Sequence, residues 1–201
     1  MRQPFRALRT TRGLATERLQ SVRWGRSFQT LGALGRFEVT ETAILHVFCG
    51  KMGAGKSTVA RALAASCVAP LLSEDDLLRD LYPGEVTDLA SYVTFSSRIK
   101  QALAGHICML LRQGTSVVLD FPGNTVRQRA WFRQLIDSSG AQHQLHYLNV
   151  PDATCRRQLA QRRAADGGDP LQDEAAFDLL LAHFAPPSPD EQFSVVLHER
   201  T

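Results

Sequence analysis

One stretch of this chain combines residue types and spacing that could bind a phosphate chain. It runs Gly50-Lys51-Met52-Gly53-Ala54-Gly55-Lys56-Ser57-Thr58 and contains the pattern G-x-x-x-x-G-K-[ST] of a phosphate-binding loop. Glycines let the backbone curl so that successive N–H groups point at phosphate oxygens, and a following helix adds partial positive charge. Lys56, which we expect to face solvent until phosphate binds, can reach the β- and γ-phosphates, and the Ser57 hydroxyl can hold Mg²⁺. We predict that Gly50 to Thr58 bind a nucleoside triphosphate.

A carboxylate follows a strand-like run further along the chain. Asp120 ends the run Val117-Val118-Leu119, which is the pattern of an acid that holds Mg²⁺ directly or through water. Such an acid can also cap a helix or face solvent in a loop, but beside a phosphate-binding loop the magnesium role is favoured. We therefore predict Ser57 and Asp120 as the metal-binding residues, and no metal other than Mg²⁺.

Two adjacent acids, Asp75 and Asp76, follow another strand-like run. A carboxylate at this place could take the proton of an acceptor hydroxyl during phosphoryl transfer. Both acids could instead complement the dipole of the helix that begins beside them, an effect of roughly 0.3–1 kcal/mol. Because only one of the two side chains can point into the site, we choose Asp75 as the catalytic base and keep Asp76 as the alternative.

Four arginines precede or flank a Gly-Gly loop in the last quarter of the chain. They are Arg156, Arg157, Arg162 and Arg163. A helix that presents arginines beside a mobile loop could close as a lid and neutralise charge on the transferred phosphoryl group. For Arg156 and Arg157 we favour a solvated helix face, which leaves Arg162 or Arg163 as the catalytic arginine.

A few other polar residues could contact the acceptor. They are Asn124, Arg98, Arg127 and Arg129. For each of these arginines a surface position is at least as well supported. His143 and His146 alternate with apolar residues and show no metal-ligand spacing, so we interpret them as packed or surface groups.

The elements that would position these residues alternate along the chain. Strand-like runs at 43–49, 69–72, 115–120, 142–150 and 193–197 alternate with helical patterns at 58–65, 73–81, 89–113, 126–139, 152–164 and 173–184. We expect Ser73 to cap the second helix and a loop to begin at Phe121. Such alternation predicts an α/β fold, a five-stranded parallel sheet with helices on both faces, and ligands beyond the carboxyl ends of the strands.

Composition and charge restrict the class of protein. Of 201 residues, 44% are hydrophobic and 21% charged, and no apolar run approaches the ~18 residues of a membrane span. The four cysteines (Cys49, Cys67, Cys108, Cys155) are far apart in apolar segments, so we predict reduced core residues of a cytoplasmic protein. Residues 1–37 carry eight arginines against one acid, a charge of +7, which leaves −4 for the rest. That acidic body argues against a nucleic-acid partner.

The basic start predicts a tail of residues 1–40, disordered and outside a domain of residues 41–201. An arginine-rich, acid-poor start is also typical of an organellar transit peptide, and a wrongly extended reading frame would look the same. Our preference is the disordered tail.

Residues 42–198 resemble the P-loop kinase-like group of AAA family ATPases and predicted kinases. This group is similar in plan to chloramphenicol phosphotransferase, zeta toxin and polynucleotide 5′-hydroxyl kinase. The stretches that carry the resemblance are Gly50–Thr58, Ser73–Leu78, Leu81–Glu85, Val117–Thr125, Arg129–Phe132, Leu145–Leu148, Arg162 and Phe184–Pro187. The resemblance implies a three-layer P-loop NTPase fold of the nucleoside-kinase type, with ATP and Mg²⁺ as cofactors.

The chain departs from that pattern in two places. The group often has Arg-Asn in the lid where this chain has Arg162-Arg163. Polynucleotide kinases place an arginine three residues after the acid, a spacing that Asp76 and Arg79 fit but Asp75 does not.

The leading hypothesis is an ATP- and Mg²⁺-dependent phosphotransferase that moves the γ-phosphate to a hydroxyl of a small molecule. One alternative is a regulatory module that binds or hydrolyses NTP without a small acceptor. The other is a nucleic-acid 5′-hydroxyl kinase, for which the basic tail would be functional.

Overall fold

A parallel sheet organises the residues that the computed structural model describes, 42–166 and 174–199. Its strands are β1 (Ile44–Cys49), β2 (Leu71–Ser73), β3 (Val117–Pro122), β4 (Gln142–Asn149) and β5 (Val195–Glu199). They lie in the order β2-β3-β1-β4-β5, and every neighbouring pair is parallel. The predicted five-stranded parallel sheet is confirmed, and the strand that leads into the phosphate-binding loop lies at its centre.

Helices alternate with these strands, in close agreement with the predicted pattern. Within the described ranges they are α1 (Lys56–Ser66), α2 (Glu74–Leu81), α3 (Leu89–Arg112), α4 (Val126–Ser139), α5 (Asp152–Asp166) and α6 (Glu174–Ala182), with a 3-10 helix at Pro189–Glu191. The bounds of α4 are those predicted. The other helices differ from their predicted bounds by a few residues, the usual scatter of helix ends.

Side-chain caps explain where two of these helices begin. The Asp76 N–H donates to Ser73 Oγ at 3.3 Å, so Ser73 caps α2 as predicted. At the start of α4, the Gln128 N–H donates to Thr125 Oγ1 and the Thr125 N–H donates to Gln128 Oε1. Such bonds satisfy donors that the first helical turn leaves without a partner. Both caps fix polar segments at the carboxyl ends of β2 and β3.

The sheet separates two clusters of buried side chains, one on each face. Along β1, Leu45 and Val47 belong to one cluster and Phe48 to the other, because side chains alternate across a strand. The first cluster joins the sheet to α2, α3 and α4, and the second joins it to α1, α5 and α6. The predicted three-layer architecture, with helices on both faces, is confirmed.

β3 lies two residues further along the chain than predicted, because it begins at Val117 and continues through Phe121 and Pro122. The register between β1 and β3 shifts after Val47, so that Phe48 lies opposite Pro122. Phe121 is 1% exposed and belongs to the first cluster, which holds the chain in extended form beyond Asp120. The prediction of a loop from Phe121 onward is therefore wrong for its first two residues.

Three of the four cysteines lie in the interior as predicted. Cys49, Cys108 and Cys155 are buried, and all four are free thiols. Cys67 is exposed, so its predicted place in the core is wrong. It follows the last residue of α1, at the point where the chain turns away from the helix towards β2.

Some predictions fall outside the described residues. The tail at residues 1–40 is one of them, and its boundary with the domain stays a prediction. The Gly-Gly loop is another, because residues 167–173 also lie outside. No helix in the described ranges combines the length and the apolar character needed to cross a membrane.

The close approach of the β3–α4 loop to β1 gives a first test of the fold. A Cβ atom at Gly123 would lie 2.5 Å from the Phe48 carbonyl oxygen and 2.7 Å from Phe132 Cε2, both of buried residues. We expect Gly123→Ala to lower the free energy of unfolding by about 1–3 kcal/mol, because backbone and ring must shift to admit the methyl group. Denaturant titration measures the loss.

A second glycine supplies the matched control. Nothing lies within 4 Å of a Cβ atom at Gly105, which is exposed on α3. Gly105→Ala should raise stability by up to about 1 kcal/mol, since alanine favours the helix. Equal stability of the two alanine variants would contradict the tight packing at Gly123.

Candidate active site

The loop between β1 and α1 has a backbone geometry that favours glycine at two positions. Gly53 and Gly55 have φ values of 77° and 91°, in the left-handed region. A Cβ atom at Gly53 would lie 2.6 Å from the Cys155 carbonyl oxygen, so the loop packs directly against α5. The Ala54 N–H donates to the Lys51 carbonyl at 3.1 Å and closes the turn. The loop leads into the first turn of α1, where unpaired N–H groups can receive an anion.

Lys56 folds back over this loop. Its Nζ donates to the Gly50 carbonyl at 2.5 Å and to the Lys51 carbonyl at 3.0 Å. Burial lowers the pKa of the Lys56 ammonium, and the charges of Asp120 and Asp75 are among those that oppose this shift. The expectation that Lys56 faces solvent before phosphate binds is wrong, because the loop's own carbonyl oxygens lie within its reach. Its ammonium is already held over the loop.

Ser57 and Asp120 bring two oxygen ligands together at the carboxyl end of β3. Burial raises the pKa of Asp120, whereas a hydrogen bond with Ser57 and the charge of Lys56 lower it. Asp120 lies opposite Ser73 in the register of β2 and β3. A hydroxyl and a carboxylate are donors that suit Mg²⁺, which usually keeps water and phosphate oxygens as its other ligands. The described residues hold no group of three or more His, Cys, Asp and Glu that could bind a metal alone.

Asp75 lies where water reaches it, although protein atoms crowd it. The side chain is exposed, yet partial burial of the carboxyl raises its pKa. The charges of Glu74 and Asp120 raise this pKa further, and that of Lys56 lowers it. Asp75 therefore lies close enough to Lys56 and Asp120 to interact with their charges.

Asp76 has a different neighbour. Arg79 Nη1 donates to Asp76 Oδ1 at 2.7 Å, and this hydrogen bond lowers the pKa of Asp76. Both side chains are substantially exposed, and such surface pairs contribute about 0–1 kcal/mol to stability. The acid and the arginine three residues later are thus in contact, as the spacing in polynucleotide kinases would place them.

A buried carboxylate that the motifs leave unassigned precedes Asp75. Glu74 is 1% exposed, and it accepts from Tyr92 Oη at 2.5 Å and Ser96 Oγ at 2.6 Å. Lys100 Nζ lies 3.0 Å from the same carboxylate. The three partners stand four residues apart on α3, so they lie on one face of that helix. Glu74 thereby holds the start of α2, and with it Asp75, against α3.

Arg156 joins α5 to α6. Its Nη2 donates to Asp178 at 2.5 Å, its Nη1 donates to Glu174 at 3.2 Å, and the guanidinium lies 4.4 Å from the centre of the Phe177 ring. The side chains of Arg156, Glu174 and Asp178 are all partly exposed, so these contacts lie at the surface and agree with the interpretation of Arg156 as part of a solvated helix face.

The other arginines of α5 are exposed. Arg157 donates to Thr154 Oγ1 at 3.4 Å on its own helix, which agrees with a solvated face. Arg162 and Arg163 lie near the end of α5, just before the residues outside the described part. The structure does not choose between them, and both remain candidates for the lid.

The remaining residues of the predicted site lie around the loop. Asn124 Oδ1 accepts from the Gly50 N–H at 3.1 Å, so Asn124 contacts the loop directly. Lys51 Nζ pairs with Asp152 at the start of α5. Met52 is half-buried, and Thr58 is exposed in the first turn of α1.

The other predicted acceptor contacts have different positions. Arg98 and Arg127 are exposed, as the surface interpretation expects. Arg129 is 0% exposed and forms an ion pair with Glu191, so neither solvent nor a phosphoryl acceptor can reach it. The surface position and the acceptor contact considered for Arg129 are therefore both wrong, because carbonyl and carboxylate oxygens from distant parts of the chain surround its guanidinium.

His143 and His146 pack against neighbouring groups. His146 is buried, with its Nε2 3.2 Å from His46 Nδ1 and its Nδ1 3.0 Å from His198 Nε2. Burial, followed by the charges of both neighbours, lowers the pKa of His146 to about 4. His143 Nε2 accepts from the Ser194 N–H at 3.1 Å. These contacts agree with the interpretation that His143 and His146 serve packing.

Taken together, the carboxyl ends of β1, β2 and β3 collect the groups that phosphoryl transfer needs. The loop and α1 offer N–H groups and the Lys56 ammonium to an anion. Ser57 and Asp120 offer oxygens to a cation. Asp75 offers an accessible carboxylate with raised proton affinity.

Comparisons with known proteins show the family and the fold of this chain. A family model described as an AAA domain matches residues 45–187. A protein of Chloroflexus aurantiacus described as a candidate kinase is similar in structure, with a TM-score of 0.62, 18% identity, and coverage of 79% of this chain and 86% of that chain. No curated protein matches the chain.

Two further solved structures share the fold. APS kinase CysC of Mycobacterium tuberculosis, solved with AMPPNP and APS, has a TM-score of 0.54, 19% identity, and coverage of 80% of this chain and 91% of that chain. Kti12 of Chaetomium thermophilum, solved with ADP-AlF3, has a TM-score of 0.56, 20% identity, and coverage of 77% and 88%. At these identities the likeness shows a common P-loop kinase fold.

Proposed function

Since the chain belongs to the AAA-domain family and has a P-loop kinase fold, we propose that it transfers the γ-phosphate of ATP to a hydroxyl of a small molecule. The position of Asp75 carries this proposal. It is an accessible carboxylate with a raised pKa, in the electrostatic field of Lys56 and Asp120. A carboxylate with these neighbours is suited to accept the proton of an acceptor hydroxyl.

Each residue of the candidate site has its own role in the proposed reaction. Lys56 leaves the Gly50 and Lys51 carbonyls and binds the β- and γ-phosphates, while the loop N–H groups hold the phosphate chain. Ser57 and Asp120 would hold Mg²⁺, which supplies charge neutralisation at the phosphates. Asp75 accepts the proton of the acceptor hydroxyl while the hydroxyl oxygen forms a bond to the γ-phosphorus. The bond between the γ-phosphorus and the β–γ bridging oxygen breaks, and ADP leaves. Arg162 or Arg163 would then neutralise the transferred group.

The proposal is tested by measuring ADP release with and without acceptors. A panel of hydroxylated metabolites, antibiotics and 5′-hydroxyl oligonucleotides should contain compounds that raise the rate well above that with water alone. Phosphorylated product, identified by mass spectrometry, must accompany the rise. Steady ADP release that no acceptor changes would instead support a hydrolysing regulatory module.

The contact between Asp76 and Arg79 favours a second candidate, a 5′-hydroxyl kinase of nucleic acid. An oligonucleotide acceptor would then give the largest rise in ADP release. Its affinity should fall steeply with salt, because phosphate contacts release counterions. The acidic body of residues 38–201 speaks against this candidate.

The raised pKa of Asp75 predicts how the rate depends on pH. The base acts only when deprotonated, so kcat should fall as the pH decreases through a pKa above the ordinary value of 3.8. The pKa of Asp120 is also raised, so each rate is measured at saturating Mg²⁺ and ATP. If kcat instead begins to fall only at a pH equal to or below the ordinary aspartate pKa, the role of Asp75 as the base is contradicted.

A further inference from the structure

Arg129 is the largest fully buried side chain of the described residues, and its N–H groups all meet acceptors. Nε and Nη2 donate to the two carboxylate oxygens of Glu191 at 2.7 Å each. Nη1 donates to the carbonyls of Gly123 at 2.9 Å and Ala185 at 2.7 Å, and Nη2 also reaches the Pro186 carbonyl at 3.3 Å. One side chain thus joins the β3–α4 loop to residues 185–191.

These two segments also hold each other, and Asn124 lies between them. The Ala185 N–H donates to the Asn124 carbonyl at 2.9 Å. On the other side, the Asn124 N–H donates to Gln128 Oε1 at 2.9 Å. The backbone of Asn124 is therefore held by hydrogen bonds on both sides, and Arg129 binds the carbonyls of the two residues next to these bonds, Gly123 and Ala185.

The side chain of Asn124 connects this hydrogen-bonded segment to the phosphate-binding loop. Its Oδ1 accepts from the N–H of Gly50, a buried residue at the start of the loop. The Gly50 carbonyl accepts from Lys56 Nζ. When Lys56 turns to the phosphates, the contact with Asn124 continues to orient Gly50.

We propose that Asn124 is a positioning residue for the phosphate-binding loop and that the Arg129–Glu191 pair acts through it. The proposal rests on the proposed function only in requiring that the chain bind nucleotide. It assigns Asn124 to the loop rather than to the acceptor. It also gives the buried ion pair a functional effect besides its packing.

Asn124→Leu is the first test, because leucine has a similar shape but no acceptor for the Gly50 N–H. We expect ADP affinity to fall by about 3- to 10-fold, the effect of one hydrogen bond. The affinity is measured by titration calorimetry at a temperature where circular dichroism shows the variant folded. The matched control is Asn149→Leu, since Asn149 is exposed at the end of β4 and its side chain contacts Tyr147. An unchanged affinity in Asn124→Leu would overturn the proposal.

Glu191→Gln tests whether the ion pair acts through Asn124. Glutamine keeps the shape and one carbonyl oxygen but loses the charge, so ADP affinity should fall by less than in Asn124→Leu. The double variant should bind ADP no more weakly than Asn124→Leu alone, because both substitutions act through the same contact, the hydrogen bond between Asn124 and the Gly50 N–H. Losses that multiply would show that Glu191 has only a structural effect and would overturn this part. If Glu191→Gln does not fold, Glu191→Asp takes its place in the same double-variant comparison with the same expected result, because the shorter carboxylate keeps the charge but loses part of its contact with Arg129.

The same titrations separate this proposal from the proposed function. Tight ADP binding by the natural chain, without phosphoryl transfer to any acceptor, would contradict the phosphotransferase activity but not the positioning role of Asn124. An Asn124→Leu variant that binds ADP as the natural chain does would contradict the positioning role but not the phosphotransferase activity.

Discussion

Replacement of Lys56 by methionine should lower kcat/KM for phosphoryl transfer by about 10²–10³-fold or more. The ammonium is the cation that the structure holds over the loop, on the Gly50 and Lys51 carbonyls. No other side chain of the loop can take its place, because Lys51 is paired with Asp152. Methionine keeps the stem of the half-buried side chain, so the fold should persist while charge on the leaving phosphate goes uncompensated.

The measurement is a steady-state rate at several ATP concentrations, with circular dichroism to verify folding. Arg112→Met is the matched control, because Arg112 is an exposed cation at the end of α3, before β3 begins. It should leave the rate within about two-fold, as a surface change far from the site does. Near-native turnover in Lys56→Met would show that the loop does not bind the transferred phosphates.

Asp75→Asn should lower kcat by about 10²–10⁴-fold, the usual contribution of general acid–base catalysis. The amide is nearly isosteric but cannot accept the acceptor's proton. ATP affinity should persist, because Lys56, Ser57 and Asp120 supply the contacts to nucleotide and metal. The variant therefore separates a loss of chemistry from a loss of binding, and kcat and nucleotide affinity are measured side by side.

Asp76→Asn is the matched control for that variant. Its carboxylate pairs with Arg79 on the exposed side of α2, and such a pair contributes about 0–1 kcal/mol. We expect a loss of a few-fold at most. A reversed ranking would move the base to Asp76 and favour the nucleic-acid kinase. Near-native rates in both variants would leave Asp120 as the remaining carboxylate.

The phosphate-binding loop could be predicted because its requirements are local. Gly53 and Gly55 meet a backbone need that few other residues meet, and Lys56 and Ser57 follow at once in the chain. The central strands β1 and β3 were predictable for a similar reason, since they are mostly buried apolar runs of the kind that parallel sheets contain. Short-range patterns of this kind need no knowledge of distant partners.

The buried charges could not be predicted, because their partners lie far away in the sequence. Arg129 and Glu191 are separated by 62 residues, and Glu74 lies 22 residues from Ser96. Arginine and glutamate are usually exposed, so composition favours a surface position for each. Only the fold shows that these side chains meet acceptors instead of water.

The choice between Asp75 and Asp76 depended on geometry of another kind. Successive residues of a helix point about 100° apart, so one of two adjacent acids turns away from the site. The sequence does not show which one, whereas the structure shows that Asp76 contacts Arg79 and that Asp75 interacts with the charges of Asp120 and Lys56.

The division of the interior into two clusters has a consequence for how such a protein can diverge after gene duplication. Glu74, which holds Asp75 in place, is anchored to α3, on the first face. The phosphate-binding loop packs on α5, on the second face, and the sheet lies between them. If the proposed phosphoryl transfer holds, substitutions in α2 and α3 could change the compound that is phosphorylated while nucleotide binding stays intact. Descendant copies would then share their loop and differ in their acceptors.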